Sequence, residues 1–197
     1  MNVAFDAATA ESDEALIAAY AAGDARAARA LTARFGPRVF SHAYRLLQDR
    51  SEAEDVAQEA MLRLWKQAPD WRAGEAKVST WLYRVTGNLC IDRIRGKRGR
   101  ASVALDAVAE PEDDAPGAED RLQMQARFSA LETALAALPD RQRQAVVLRH
   151  IEGMANPEIA EIMDMSVEAV ESLTARGKRA LAQALAGRRE ELGYVES

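Results

Sequence analysis

The 197-residue chain is 48% hydrophobic, enough for real cores, and carries a formal net charge of −5. No apolar run approaches the roughly 20 residues that span a bilayer, and the start MNVAFDAATAESDE lacks the basic and apolar pattern of a signal peptide, so the chain reads as cytoplasmic. The single cysteine, Cys90, excludes an internal disulfide and any multi-cysteine zinc cluster, and its apolar surroundings make it a buried structural thiol.

In chain order, helical periodicity predicts helices over Ser12–Ala22, Asp24–Phe35, Pro37–Leu47, Ser51–Lys66 and Ser79–Arg95, with Ser12, Asp24 and Ser51 as N-caps. No segment reads as a strand. In the fourth helix Ala53, Val56, Ala57, Ala60, Met61 and Leu64 recur as a core-facing stripe. Asp55, Glu59 and Leu62 fall on the opposite side, together with Gln58. A leucine among exposed acids is the kind of residue a partner covers, although a single exposed leucine by itself is ordinary.

The helix from Ser79 aligns Trp81, Arg84, Asn88, Asp92 and Arg95 along one stripe, leaving Leu82, Val85, Leu89, Cys90 and Ile94 for packing. Aromatic, cationic and amide groups on one surface suit unpaired bases, which need stacking, phosphate attraction and base-edge hydrogen bonds. The preceding loop, residues 69–78, adds Trp71, Arg72 and Lys77. The competing reading makes Trp81 and Tyr83 core aromatics and the cations a solvated face. Gly87 inside this helix costs about 1 kcal/mol against alanine, which points to close approach by another helix or by DNA.

A basic run follows (Arg93, Arg95, Lys97, Arg98, Arg100), and then Ala101 to Asp120 contains no Lys or Arg while seven acids accumulate around Pro111, Pro116 and Gly117. That stretch reads as a flexible acidic linker with little to bury. The expected organisation is a tail over 1–10, a first domain over 11–99, the linker over 100–120, a second domain over 121–187 and a tail over 188–197. The expected fold class is all-α, two small helical domains joined by that linker.

Beyond the linker, helices are predicted over Arg121–Leu138, Asp140–Ile151, Pro157–Met163 and Val167–Ala186, with Asp140 as a cap and Asn156-Pro157 as cap and first-turn proline. The last two have helix-turn-helix spacing: Ile159 and Ile162 face inward, Ala160 permits a close crossing, Asp164 sits at the turn and Ser166 caps the second helix. The outer face of that helix holds Glu168, Ser172, Ala175, Arg176 and Arg179, with Lys178 beside them, a set suited to base edges and phosphates. Two anionic residues, Glu168 and Glu171, count against such contacts.

His42 and His150 are isolated, and no nucleophile-base pair, phosphate-cradling loop or metal-ligand cluster is recognisable, so the chain is expected to be no enzyme and to carry no cofactor. Two alternatives remain at this point. A free-standing regulator would join the helix-turn-helix to a ligand-binding domain, which calls for an apolar pocket with a few polar groups. A protein-only adaptor would not need the basic run or the capped recognition helix.

Read together, SEAEDVAQEAMLRLW (51–65), STWLYRVTGNLCIDRIRGKR (79–98) and the segment LPDRQRQAVVLRHIEGMANPEIAEIMDMSVEAVESLTARGKRAL (138–181) closely resemble regions 2.2, 2.3–2.4 and 4.2 of the extracytoplasmic-function sigma factors, the small two-domain members of the sigma-70 family. The resemblance implies that Asp55, Gln58, Glu59, Leu62 and Arg63 contact the clamp coiled coil of core RNA polymerase. It implies that the 69–78 loop with Asn88 holds a flipped base of the −10 element, and that Trp71, Arg72, Lys77, Trp81, Arg84, Asn88, Asp92, Arg95, Lys97 and Arg98 form the −10 surface. The 167–186 helix, through Ser166, Glu168, Ser172, Ala175, Arg176, Lys178 and Arg179, would read the −35 element. Family members often carry arginine where Glu171 stands. A separate anti-sigma factor is the further partner the family implies.

Overall fold

In the computed structural model the described residues are 12–74, 76–100 and 118–186. Both expected tails and residues 101–117 of the expected linker lie outside them. Four helices precede the gap: α1 (Asp13–Ala21), α2 (Ala25–Leu47), α3 (Arg50–Gln67) and α4 (Val78–Arg100). Four follow it: α5 (Ala118–Ala136), α6 (Asp140–Val146), α7 (Asn156–Met163) and α8 (Val167–Ala186). No strand occurs among the described residues.

Local chemistry accounts for most of the helix starts. Ser12 Oγ accepts from the Ala15 amide at 3.1 Å and an Asp24 carboxylate oxygen from the Arg26 amide at 2.8 Å, so two expected caps are formed. The α3 cap is Asp49 rather than Ser51; it accepts from the Glu52 amide at 3.1 Å. The two helices expected either side of Gly36-Pro37 are one, α2. Proline removes one backbone donor, but Leu31 and Phe35 before it and Val39 and Ala43 after it lie on one buried stripe, and that burial carries the helix through. Further along, α6 passes at Val147–Ile151 into a wider π-type turn. The α7 cap is Ala155, one residue before the expected Asn156, and α6 is entered from Pro139 with Asp140 as its first residue.

Helices α1 to α4 enclose a core built on Leu16, Ile17, Leu31, Phe35, Leu64 and Leu82. Each such side chain contributes roughly 1.5–3 kcal/mol by burial. The helices after the gap do not stand apart from this bundle. Ala43, Leu46, Val56 and Cys90 share one apolar cluster with Leu135, Leu138, Val146 and Val147. Tyr83 of α4 joins a third cluster with Leu148, Ile159, Ile162 and Val170. Glycines permit two close approaches: a methyl on Gly177 of α8 would lie 2.5 Å from Val146 Cγ2, and one on Gly87 would collide with the Gln144 amide of α6. The structure thus assigns Gly87 to a helix crossing.

Cys90 is fully buried, and burial pushes its thiol up to about 12, consistent with a structural role. His42 is buried with its ring edge-on to Tyr83, the centroids 5.0 Å apart, and neither ring nitrogen has a hydrogen-bond partner among the described residues. Burial, reinforced by the Arg45 charge, lowers its pKa to about 3 and so keeps the imidazole neutral. An unfolded histidine titrates near 6.5, so between about 6.5 and 3 the unfolded chain binds a proton that the folded chain refuses. Stability therefore falls as pH drops through that window. Between pH 6.5 and 5, where the carboxylates stay ionised, the expected loss is about 2 kcal/mol. Denaturant titrations at the two pH values measure it, and His42→Leu should remove most of the difference; an unchanged difference in that variant contradicts the assignment.

Candidate partner-binding and nucleic-acid interfaces

On α3 the core-facing stripe is Ala53, Val56, Ala60, Met61 and Leu64, with Ala57 half-buried. The opposite side presents Asp55, Gln58, Leu62 and Arg63 to solvent, and Leu62 is 52% exposed. Asp55, Gln58, Glu59, Leu62 and Arg63 line one shallow depression with Leu89 and Arg93 of α4. Glu59 accepts from Arg63 Nε at 2.8 Å, one helical turn on, and that bond holds the Glu59 carboxyl below its ordinary range. The five residues chosen from sequence are thus one contiguous surface. A second shallow groove, lined by Gly36, Ala57, Met61 and Trp65, runs up to Leu62 from the α2 side.

Two residues of the basic run are drawn toward α3. Arg93 donates to Glu52 and lies 3.6 Å from Asp55; Lys97 lies 2.9 Å from Asp49 and 3.5 Å from Glu52. Hydrogen bonding to Lys97 lowers the Asp49 pKa, and hydrogen bonding to Arg93 lowers that of Glu52. Lys97 therefore braces α3 against α4, while Arg95 remains exposed. The Arg98 side chain lies outside the described residues.

The α4 stripe has the geometry its spacing predicted: Trp81 is half-buried, and Arg84, Asn88, Asp92 and Arg95 are exposed. Trp71 from the preceding loop meets Trp81 edge-on with ring centroids 6.0 Å apart. Together with Gln67, Asp70, Arg72 and Ala76 the two indoles line a small cleft. The Trp71 Nε1 donor is buried and has no acceptor among the described residues. Such a cleft can stack a planar ring and offer it a donor and a carboxylate. Trp81 also packs on the first core, so the structural and functional readings of that residue coexist.

Helices α7 and α8 meet at Asp164, which takes left-handed geometry (φ 51°, ψ 61°) that aspartate tolerates. Ser166 Oγ accepts from the Ala169 amide at 3.2 Å and caps α8 as expected. Val170 and Gly177 are buried, whereas Ser166, Glu168, Ser172, Ala175, Arg176, Lys178 and Arg179 are all exposed. Glu171 is exposed and accepts from Asn156 Nδ2 at 3.4 Å, which draws it toward α7.

Several contributors were not found by sequence reasoning. Tyr83 donates its hydroxyl to Glu152 at 2.8 Å, and Arg143 is a buried cation serving backbone carbonyls. A tyrosine two residues after a tryptophan and an arginine in LPDRQRQ give no local sign of such distant partners.

A family model described as "Sigma-70 region 2" matches residues 31–100, and one described as "Sigma-70, region 4" matches residues 128–181. The ECF RNA polymerase sigma factor SigW of Bacillus subtilis is 33% identical over 156 residues, covering 75% of this chain and 83% of that protein. The chain belongs to the ECF sigma-factor family. SigE of Mycolicibacterium smegmatis, another ECF sigma factor, is 33% identical over 160 residues, covering 79% of this chain but 60% of that protein. Among solved structures, that of CnrH in complex with the cytosolic domain of CnrY matches with a TM-score of 0.67 and 26% identity, covering 90% of this chain and 99% of that one. Proteins of the ECF sigma-factor family are transcription initiation factors rather than enzymes. No helix among the described residues is long and apolar enough to cross a membrane.

Proposed function

We propose that this protein binds core RNA polymerase through the α3 face and directs it to promoters by dividing recognition between two surfaces. The non-template strand of the −10 element lies along α4, with one base turned into the cleft between Trp71 and Trp81. Stacking on the indoles offsets the cost of unstacking that base, which helps to open the duplex. The −35 element receives α8 in its major groove, with Arg176 and Arg179 on base edges or phosphates and the capped N-terminus toward the backbone. Residues 11–99 and 121–187 are the units that carry the two tasks. The observation that carries this reading is the exposed Leu62 set among Asp55, Gln58 and Arg63 on one shallow depression.

A separate anti-sigma factor completes the proposal. CnrH, similar over nearly the whole chain, was solved bound to the cytosolic domain of CnrY, and a comparable protein partner is expected here.

The division of labour is tested with one variant. Arg176→Ala should leave core binding within twofold and weaken engagement of a −35 duplex by about 1–3 kcal/mol, the range for one good base contact. Competition binding of the reconstituted holoenzyme to promoter fragments with intact or scrambled −35 elements measures it. Equal affinity of wild type and variant for the intact fragment would remove α8 from the recognition surface.

A further inference from the structure

The second helix of a helix-turn-helix meets base edges with its first turns. In α8 those turns carry no cation: from Val167 to Ala175 the charged residues are Glu168 and Glu171, and Arg176, Lys178 and Arg179 follow only afterwards. The two carboxylates differ. Hydrogen bonds from its own backbone amide and from the Ser166 side chain hold the Glu168 carboxyl below its ordinary range, so Glu168 belongs to the capped start of α8. Glu171 lies about one turn further on and is exposed. Its Oε1 accepts from Nδ2 of Asn156, the first residue of α7, at 3.4 Å, and no second hydrogen bond or ion pair meets the carboxylate among the described residues. One oxygen is thus steadied from α7 while the other is left for a donor outside the chain.

An ionised carboxylate only accepts hydrogen bonds. In the major groove guanine shows two acceptors, thymine an acceptor and a methyl, adenine a donor beside an acceptor, and cytosine a single amino donor at N4. A carboxylate is therefore repelled by guanine and thymine, half-matched by adenine and matched by cytosine. Ser172 and Ala175, exposed beside Glu171, are uncharged and shorter. The repulsion between a carboxylate and the phosphates is offset by Arg176, Lys178 and Arg179, all exposed on the turns that follow.

Resting on the functional reading above, we propose that Glu171 is a specificity-determining residue of α8: its carboxylate accepts from N4 of one cytosine in the −35 element, so that the protein selects C·G at that base pair. The contact excludes as well as attracts. Guanine, thymine or adenine at that place leaves the carboxylate desolvated against an acceptor or half-paired, a discrimination of about tenfold for one good base contact. Arginine at the same position would reverse the choice, because its fork pairs with guanine O6 and N7.

The test uses the full chain reconstituted with core polymerase, and a promoter fragment recovered by run-off transcription whose −35 element is varied one base pair at a time. Competition binding reads the base preference at each position. Wild type should prefer cytosine about tenfold at one base pair. Glu171→Ala should reduce the preference there to within twofold and leave the other positions as they were, and Glu171→Arg should prefer guanine on the same strand at that pair. Glu171 is exposed, so its variants keep the fold. Asn156→Ala removes the hydrogen bond but keeps the carboxylate, and should still prefer cytosine. A Glu171→Ala profile identical to that of wild type would overturn the assignment, as would an equal loss at every position. An Asn156→Ala profile that copies Glu171→Ala would overturn it too, since Glu171 would then only brace α7 against α8. Failure of the functional reading itself appears differently, as wild-type holoenzyme indifferent to every −35 substitution.

Discussion

Leu62→Asp is expected to weaken core-polymerase binding at least about 100-fold, because it places a charge on the most exposed apolar side chain of the proposed α3 surface. A central apolar anchor of this kind is worth roughly 2–4 kcal/mol, and each tenfold in affinity is about 1.4 kcal/mol. Folding should be untouched: Leu62 is 52% exposed, and Ala53, Val56, Ala60 and Leu64 carry the packing of α3. Surface substitutions of this sort stay within about 0.5 kcal/mol. Titration of labelled protein with core polymerase measures the first effect and thermal unfolding the second. Binding within threefold of wild type contradicts the assignment of the face, and an unfolded variant contradicts its exposure.

Arg143→Ala has the largest expected effect on stability. Arg143 is 6% exposed, and its guanidinium donates to the Leu46 carbonyl near the end of α2, to the Ala136 carbonyl at 2.6 Å and to the Leu138 carbonyl at 3.3 Å. Leu46 and Ala136 are last-turn residues, whose carbonyls have no partner within their own helices and carry the negative end of the helix dipole. One planar fork thus joins the C-termini of α2 and α5, which lie on opposite sides of the 101–117 gap. Truncation leaves these carbonyls buried without a donor, at a cost of about 3–5 kcal/mol, or on the order of 10 °C in melting temperature for a chain of this size. Lysine lacks the fork and should recover less than half of the loss. Chemical denaturation of wild type, Arg143→Ala and Arg143→Lys reads the effect. A loss under 1 kcal/mol contradicts it, and so does full recovery by lysine.

The two sites differ in how far the sequence alone announces them. The α3 surface was, because a helix that buries Ala53, Val56, Ala60 and Leu64 must turn Asp55 and Leu62 outward whatever it packs against. The caps at Ser12, Asp24 and Ser166 were legible for a similar reason, since the oxygen and the amide it accepts from lie within three residues. Where two candidates stood within one turn, as with Asp49 and Ser51, spacing did not decide between them. The continuity of α2 through Pro37 was hidden, because the local cost of proline is visible in sequence whereas the burial of Phe35 and Val39 that outweighs it is tertiary. Gly87 announced a close approach without naming what approached. Its partner, Gln144, lies far along the chain, and neither residue is unusual by itself. The same holds for Tyr83 with Glu152, which are 69 positions apart.

The measurement that tests the central claim most directly is run-off transcription from fragmented genomic DNA of the source organism, with purified core RNA polymerase in the presence and absence of this protein. Discrete new transcripts that share upstream −10 and −35 elements are the expected result. No new transcripts, together with duplex binding in the absence of polymerase, would contradict the account and make the protein a free-standing regulator.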